Sequence, residues 1–172
     1  MADNYGLTAA APRGWHVAVT RRPGATPLAP DAQARGMVED QDVTRPVLHA
    51  CTRPLPELRG DFGTGVVDLL GPDAVFVALV DYGSEVADQG LFERQGLPRL
   101  APSQFAPNRL QRPLPGMSAS QVFFSQGGRA FCLFTVLGSH ARRMASVPRA
   151  MALVNSLRIT DRATLARLGG HP

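Results

Sequence analysis

The chain has 172 residues, 44% of them hydrophobic, with 17 glycines and 15 prolines, which is enough to bury a core and too few Gly and Pro for a collagen-like or disordered chain. All 18 basic residues are arginine and the formal net charge is +4. Its longest apolar run, Ala74–Val80, is too short to span a bilayer, and its two cysteines, Cys51 and Cys132, exclude a disulfide scaffold and a zinc knuckle.

Residues 1–13 read as a flexible lead without a basic n-region or a long apolar h-region, so no secretory signal is visible and the cytoplasm is the expected compartment. Trp15, Val17 and Val19 alternate with His16, Ala18 and Thr20, the pattern of a half-buried strand. Residues 21–46 are punctuated by Pro and Gly and end in an acidic patch of Glu39, Asp40 and Asp42. This stretch reads as an irregular excursion with one helical turn after Asp31. Val47–Arg53 is a strand, closed by Pro54 and Pro56, which cannot donate to a ladder.

Phe62–Leu70 and Ala74–Tyr82 are expected to pair as a hairpin about Gly71-Pro72-Asp73, with Pro72 pre-set for the first central position of the turn. In the second of these strands Val75, Val77 and Leu79 point one way, and Phe76, Ala78 and Val80 the other. A strand apolar on both sides belongs in the middle of a sheet. Residues 83–117 then carry Pro98, Pro102, Pro107, Pro113 and Pro115 together with Arg94, Arg99, Arg109 and Arg112. Long connections of this kind are often functional. The plainer reading is a loop wrapping the sheet edge, held by Leu97, Leu100, Phe105, Leu110 and Leu114, with a short helical piece near Leu91–Arg94.

Gln121–Ser125 and Arg129–Leu137 form a further hairpin, its turn made by Gly127-Gly128 because both central residues of such a turn take positive φ. That register sets Phe124 opposite Phe131 and Val122 opposite Leu133 on one face, with Phe123 and Cys132 on the other. Ser139 is a candidate cap, and Ser146 before Pro148 marks the first turn of a helix. Ala150, Met151, Leu153, Val154 and Leu157 give that helix one apolar stripe. Arg158-Ile159-Thr160 leaves it, and residues 161–172 form a C-terminal tail with a helical pattern. The expected fold is one α+β domain over 1–160, an antiparallel twisted sheet of five or more strands with the C-terminal helix packed on one face.

Gly116-Met117-Ser118-Ala119-Ser120 begins like a nucleophile elbow, but Ser120 stands where a glycine is needed and a strand follows. Gly63-Thr64-Gly65 lacks the third glycine of a dinucleotide fingerprint and runs into the strand-like Val66-Val67. Arg129–Phe134 echoes the basic-aromatic strand of an RNA-recognition module, yet Leu133 replaces its second stacking platform, so these phenylalanines read as core. His49 and Cys51 share a strand face, with Cys132 and His140 as further members of a conceivable reactive or metal site. Buried core thiols and a partly exposed strand histidine are the plainer reading. Asp61, Asp68, Asp81 and Glu85 fall at strand ends and turns, where solvation and capping account for them. No catalytic, metal or cofactor-binding residue is assigned.

Residues 1–86 hold 7 arginines and 11 acids, a net of −4, and residues 87–172 hold 11 arginines and 3 acids, a net of +8. Such asymmetry marks either a surface for an anionic partner or two halves of one domain that face each other electrostatically. The anionic partner would be nucleic acid or an acidic membrane surface, met by Arg94, Arg99, Arg109, Arg112, Arg142 and Arg143.

A Pro12-Arg13-Gly14-Trp15 opening precedes the strands, a late glycine-arginine turn leads into a strand ending Phe134-Thr135-Val136, and the terminal helix closes as Val154-Asn155-Ser156-Leu157-Arg158-Ile159. These features, confined to the two ends of the chain, resemble the Mog1/PsbP-like fold, including the LpqN-type proteins of actinobacteria. The resemblance implies an accessory or binding protein that docks on a larger partner, and no catalytic residue. With no catalytic constellation in the sequence and a long Arg/Pro segment over 83–117, the expected function is a non-enzymatic module that binds another protein. The alternatives are an anion-binding protein using the Arg-rich half and an enzyme with a cryptic Cys/His site.

Overall fold

A computed structural model describes residues 5–21 and 45–169. The excursion and acidic patch expected over 21–46 fall almost wholly outside the described residues. The elements are β1 (Leu7–Ala9), β2 (His16–Arg21), β3 (Pro46–Cys51), β4 (Val75–Gly83), β5 (Ser118–Gln126), β6 (Arg129–Leu137), α1 (Arg143–Ser156), β7 (Leu157–Ile159) and α2 (Arg162–Arg167). A five-stranded antiparallel sheet runs in the order β2-β3-β4-β6-β5, and β1 pairs with β7 in a separate ribbon. The α+β class, the antiparallel sheet and the C-terminal helix are as expected.

β4 occupies the middle of the sheet because both of its faces are apolar as far as Val80. The β5–β6 hairpin has the expected register, with Phe124 opposite Phe131, Val122 opposite Leu133 and Phe123 opposite Cys132. Its turn glycines, Gly127 and Gly128, have φ of 60° and 73°, the left-handed pair that a two-residue hairpin loop requires.

The second expected hairpin does not form. Phe62–Leu70 is a looped segment with a 3-10 turn at Val67–Leu69, and β4 pairs with β3 and β6 instead. Val66, Phe62, Val67 and Leu70 look like strand residues because they are apolar, but they are used to cover a sheet face and not to extend it. Three further expectations change. α1 starts at Arg143, so Pro148 lies inside it, and the residue preceding the helix is Arg142, not Ser139. Leu7–Ala9, in the supposed flexible lead, form β1, and Arg158-Ile159 belong to β7. Within the tail, α2 is capped by Asp161, whose carboxylate accepts from the Thr164 amide at 2.8 Å. That bond and the Thr164 hydroxyl hold the exposed Asp161 carboxyl below its ordinary range.

The sheet has two covered faces. Over one lie α1, through Val147, Ala150, Leu153 and Val154, and the β1–β7 ribbon, through Leu7 and Leu157, packed on Leu48, Val77, Leu79, Phe131 and Leu133. The expected stripe of α1 is thus its buried face, with Met151 partly buried at its margin. Over the other face lie the β3–β4 loop and residues 106–117, packed on Phe76, Ala78, Val80, Cys132, Phe134 and Val136.

The Pro/Arg-rich connection wraps the β5 edge. Gln95 bridges Ser125, Ala106 bridges Ala119, and Phe92, Leu100 and Phe105 are buried. The expected helical piece near Leu91 is a 3-10 turn at Gly90–Phe92.

The ion pairs of the described residues bear on the charge asymmetry. Arg112 pairs with Asp68, Arg129 with Asp81 and Arg142 with Asp73, each an arginine of the second half on an acid of the first, while Arg45 and Glu85 pair within the first half. The two halves do face each other electrostatically.

Candidate functional site

On the loop-covered face, a cleft of about 230 Å³ opens between two walls, with Phe134 and Val136 of β6 as its floor. One wall is the β3–β4 loop, presenting Phe62 and Val67, and the other presents Leu110 and Leu114. Asp68 and Arg112 form an ion pair across its mouth and so tie wall to wall. Phe62 meets Phe134 edge-on, with ring centroids 5.5 Å apart, a favoured arrangement for two aromatic quadrupoles.

The first wall is fixed by His49. Strand pairing aligns His49, Ala78, Phe134 and Gln121 in one row across the sheet. The Arg59 Nε–H donates to His49 Nδ1 at 2.9 Å, so the imidazole proton sits on Nε2, which lies 2.8 Å from the Asp61 carbonyl and donates to it. Gly63 lets this loop lie flat on the sheet: its φ is +87°, and a Cβ there would stand 2.6 Å from the Phe76 ring. The expected partly exposed histidine is therefore a buried latch, because the loop closes over its row.

Burial, and then the Arg59 charge, hold the His49 pKa below its ordinary value of 6.5. The unfolded chain thus binds more protons than the folded one as pH falls below 6.5. Stability is full above that pH and declines from there down to the lowered folded value, by at most about 1.4 kcal/mol per pH unit. Urea unfolding at stepped pH should show this decline in the native sequence and its absence in His49→Gln.

Cys51 and Cys132 lie on the same face, on β3 and β6, with β4 between them. Two strand spacings of about 4.8 Å each exceed the reach of a disulfide, and both thiols are free and buried. Burial raises the Cys51 pKa and pushes Cys132 up to about 11. Neither should react with iodoacetamide in the native protein, and both should react in urea. Among the described residues no group of three His, Cys, Asp or Glu could hold a metal ion.

Comparison with protein-family models, curated proteins and solved structures finds no match. No helix among the described residues is long and apolar enough to cross a membrane.

The six arginines singled out from the sequence do not act as one set. Arg112 and Arg142 are held by Asp68 and Asp73, and Arg143 donates to the His140 carbonyl at 3.1 Å. Arg94, Arg99 and Arg109 are exposed on the segment that wraps the β5 edge. Two other arginines carry more of the structure. Arg129, the first residue of β6, is buried on Asp81, which strand-end solvation does not account for. Arg59 latches His49. Sequence spacing gives no signal for either, since both partners are brought in by loop closure or by strand pairing.

Proposed function

We propose that the protein is a non-enzymatic accessory module that binds another protein, and that the apolar cleft receives one aromatic or branched aliphatic side chain of that partner. The observation that carries this reading is the cleft itself. Its volume of about 230 Å³ exceeds the roughly 150 Å³ that suffices for benzene in an apolar cavity. Pockets of this kind accept the anchor residues that dominate protein interfaces. Leu69, beside Asp68, is 69% exposed and Leu58 on the same loop is 89% exposed, which adds apolar surface on that side of the molecule. The Asp68–Arg112 pair supplies a polar rim. The resemblance of the two chain ends to Mog1/PsbP-like accessory proteins agrees with this role.

Photo-crosslinking residues at Leu69 and Gln111 test it, with Arg99 as the control, since Arg99 adjoins Leu100 of the helix-side core. Gln111 in the cleft lining and Leu69 next to the lining residue Asp68 should capture the same protein from native lysate, Arg99 should not, and Leu114→Arg should abolish capture while the fold persists. Capture that ignores position, or turnover of a small substrate by the purified protein, would overturn the proposal.

A further inference from the structure

We infer that a second cleft, at the Asp73 turn, is a binding site for a phosphoryl group. It lies between the end of β3, the turn before β4 and α1, is open to solvent with a volume of about 290 Å³, and is lined by Thr52, Arg53, Gly71, Asp73 and Arg149 among others. None of its lining residues belongs to the apolar cleft.

Charge is the first reason. Arg142 takes the Asp73 carboxylate. Arg149 Nη1 donates to the Asp73 carbonyl at 2.6 Å, a neutral acceptor, so its positive charge stays uncompensated. Arg53 lies over Gly71, with Nη2 3.8 Å from where a Cβ on that glycine would stand, and it has no acidic partner among the described residues. Three guanidinium groups therefore meet one carboxylate, leaving a net charge of about +2 beside the cleft. Planar guanidinium forks match a phosphoryl group, whose oxygens accept paired hydrogen bonds.

A free donor is the second reason. The Thr52 hydroxyl oxygen already accepts from the Val75 amide at 3.0 Å, so its proton is left to donate elsewhere. The volume is close to the lower end of the range for small-ligand sites, about 300 Å³, and suits a phosphate ester of modest size. Of these arginines only Arg142 is one of the six that the charge asymmetry singles out; Arg53 and Arg149 stand almost a hundred positions apart and only the fold joins them.

Amide NMR titration with inorganic phosphate and with pyrophosphate at low salt tests the site. Saturable shifts are expected at Thr52, Arg53, Gly71 and Asp73. Arg53→Gln and Arg149→Gln should each weaken pyrophosphate about tenfold or more, the loss of one charge-assisted contact, while Arg94→Gln should leave it unchanged. Arg53 is exposed and bonds to no turn carbonyl, so its variant remains informative if Arg149→Gln disturbs the turn. Vesicles containing phosphatidic acid separate the sources: co-sedimentation lost in Arg53→Gln assigns the phosphoryl group to a lipid headgroup, and pyrophosphate binding without co-sedimentation assigns it to a soluble ester. No saturation at low salt, or equal weakening by Arg94→Gln, overturns the inference.

Discussion

Asp81→Asn should cost the fold about 3–5 kcal/mol, the penalty for leaving a buried charge without its partner. Asp81 and Arg129 are each only 6% exposed in their side chains and meet at 2.6 Å. Asp81 also accepts from the Gly83 amide at 2.6 Å, where a register shift bulges the end of β4. Arg129 does more than neutralise it. The guanidinium donates to the Thr160 carbonyl at 3.0 Å and the Tyr5 carbonyl at 3.3 Å, and lies 5.1 Å over the Phe131 ring. One side chain therefore ties the β4 end to the segments that flank the β1–β7 ribbon. Arg129→Met should be at least as costly as Asp81→Asn, because it also leaves those carbonyls unpaired. Urea unfolding of both single variants and the double variant measures this. The double variant should cost clearly less than the sum of the singles, since each single alone strands a charge or a carboxylate. Additive losses would show that the two groups do not act as a pair.

What the sequence showed and what it hid follow from the range of the forces involved. Side-chain alternation and turn glycines are local, so the β5–β6 hairpin, its register and the two-faced β4 were legible from Gln121–Leu137 and Ala74–Val80 alone. The stripe on α1 was legible for the same reason, although its start was misplaced: Pro148 is tolerated inside the helix, and the chain turns into it from the His140 and Arg142 carbonyls without a side-chain cap. Phe62–Leu70 misled because an apolar loop and a short strand share a composition, and only the glycines at 63 and 65, both at φ +87°, mark the chain as looped there. β1 and β7 were missed because a three-residue ribbon has no period to detect. The clefts lie further still from local pattern, since Asp68 reaches Arg112, and Asp73 reaches Arg142 and Arg149, only after the sheet has formed.

Gly138→Ala should cost about 3 kcal/mol or more, at the upper end of what forced overpacking does. Gly138 ends the β6 run, and its amide donates to the Ala74 carbonyl at 2.9 Å. A Cβ on it would overlap the carbonyl oxygen of Gly71, which is backbone and itself accepts from the Ala74 amide at 3.0 Å. The added methyl cannot be accommodated by a side-chain rotation. It must displace the 71–74 turn that Arg149 of α1 and Arg142, just before α1, grip. Gly14→Ala is the informative contrast: its φ is +88° and nothing lies within 4 Å, so only backbone strain of about 1–2 kcal/mol applies. Chemical denaturation of the two variants separates a steric contact from a conformational one. If Gly138→Ala falls within 1 kcal/mol of the native sequence, the turn before β4 slides freely on the end of β6, and the close approach of the two backbones is not what seats it.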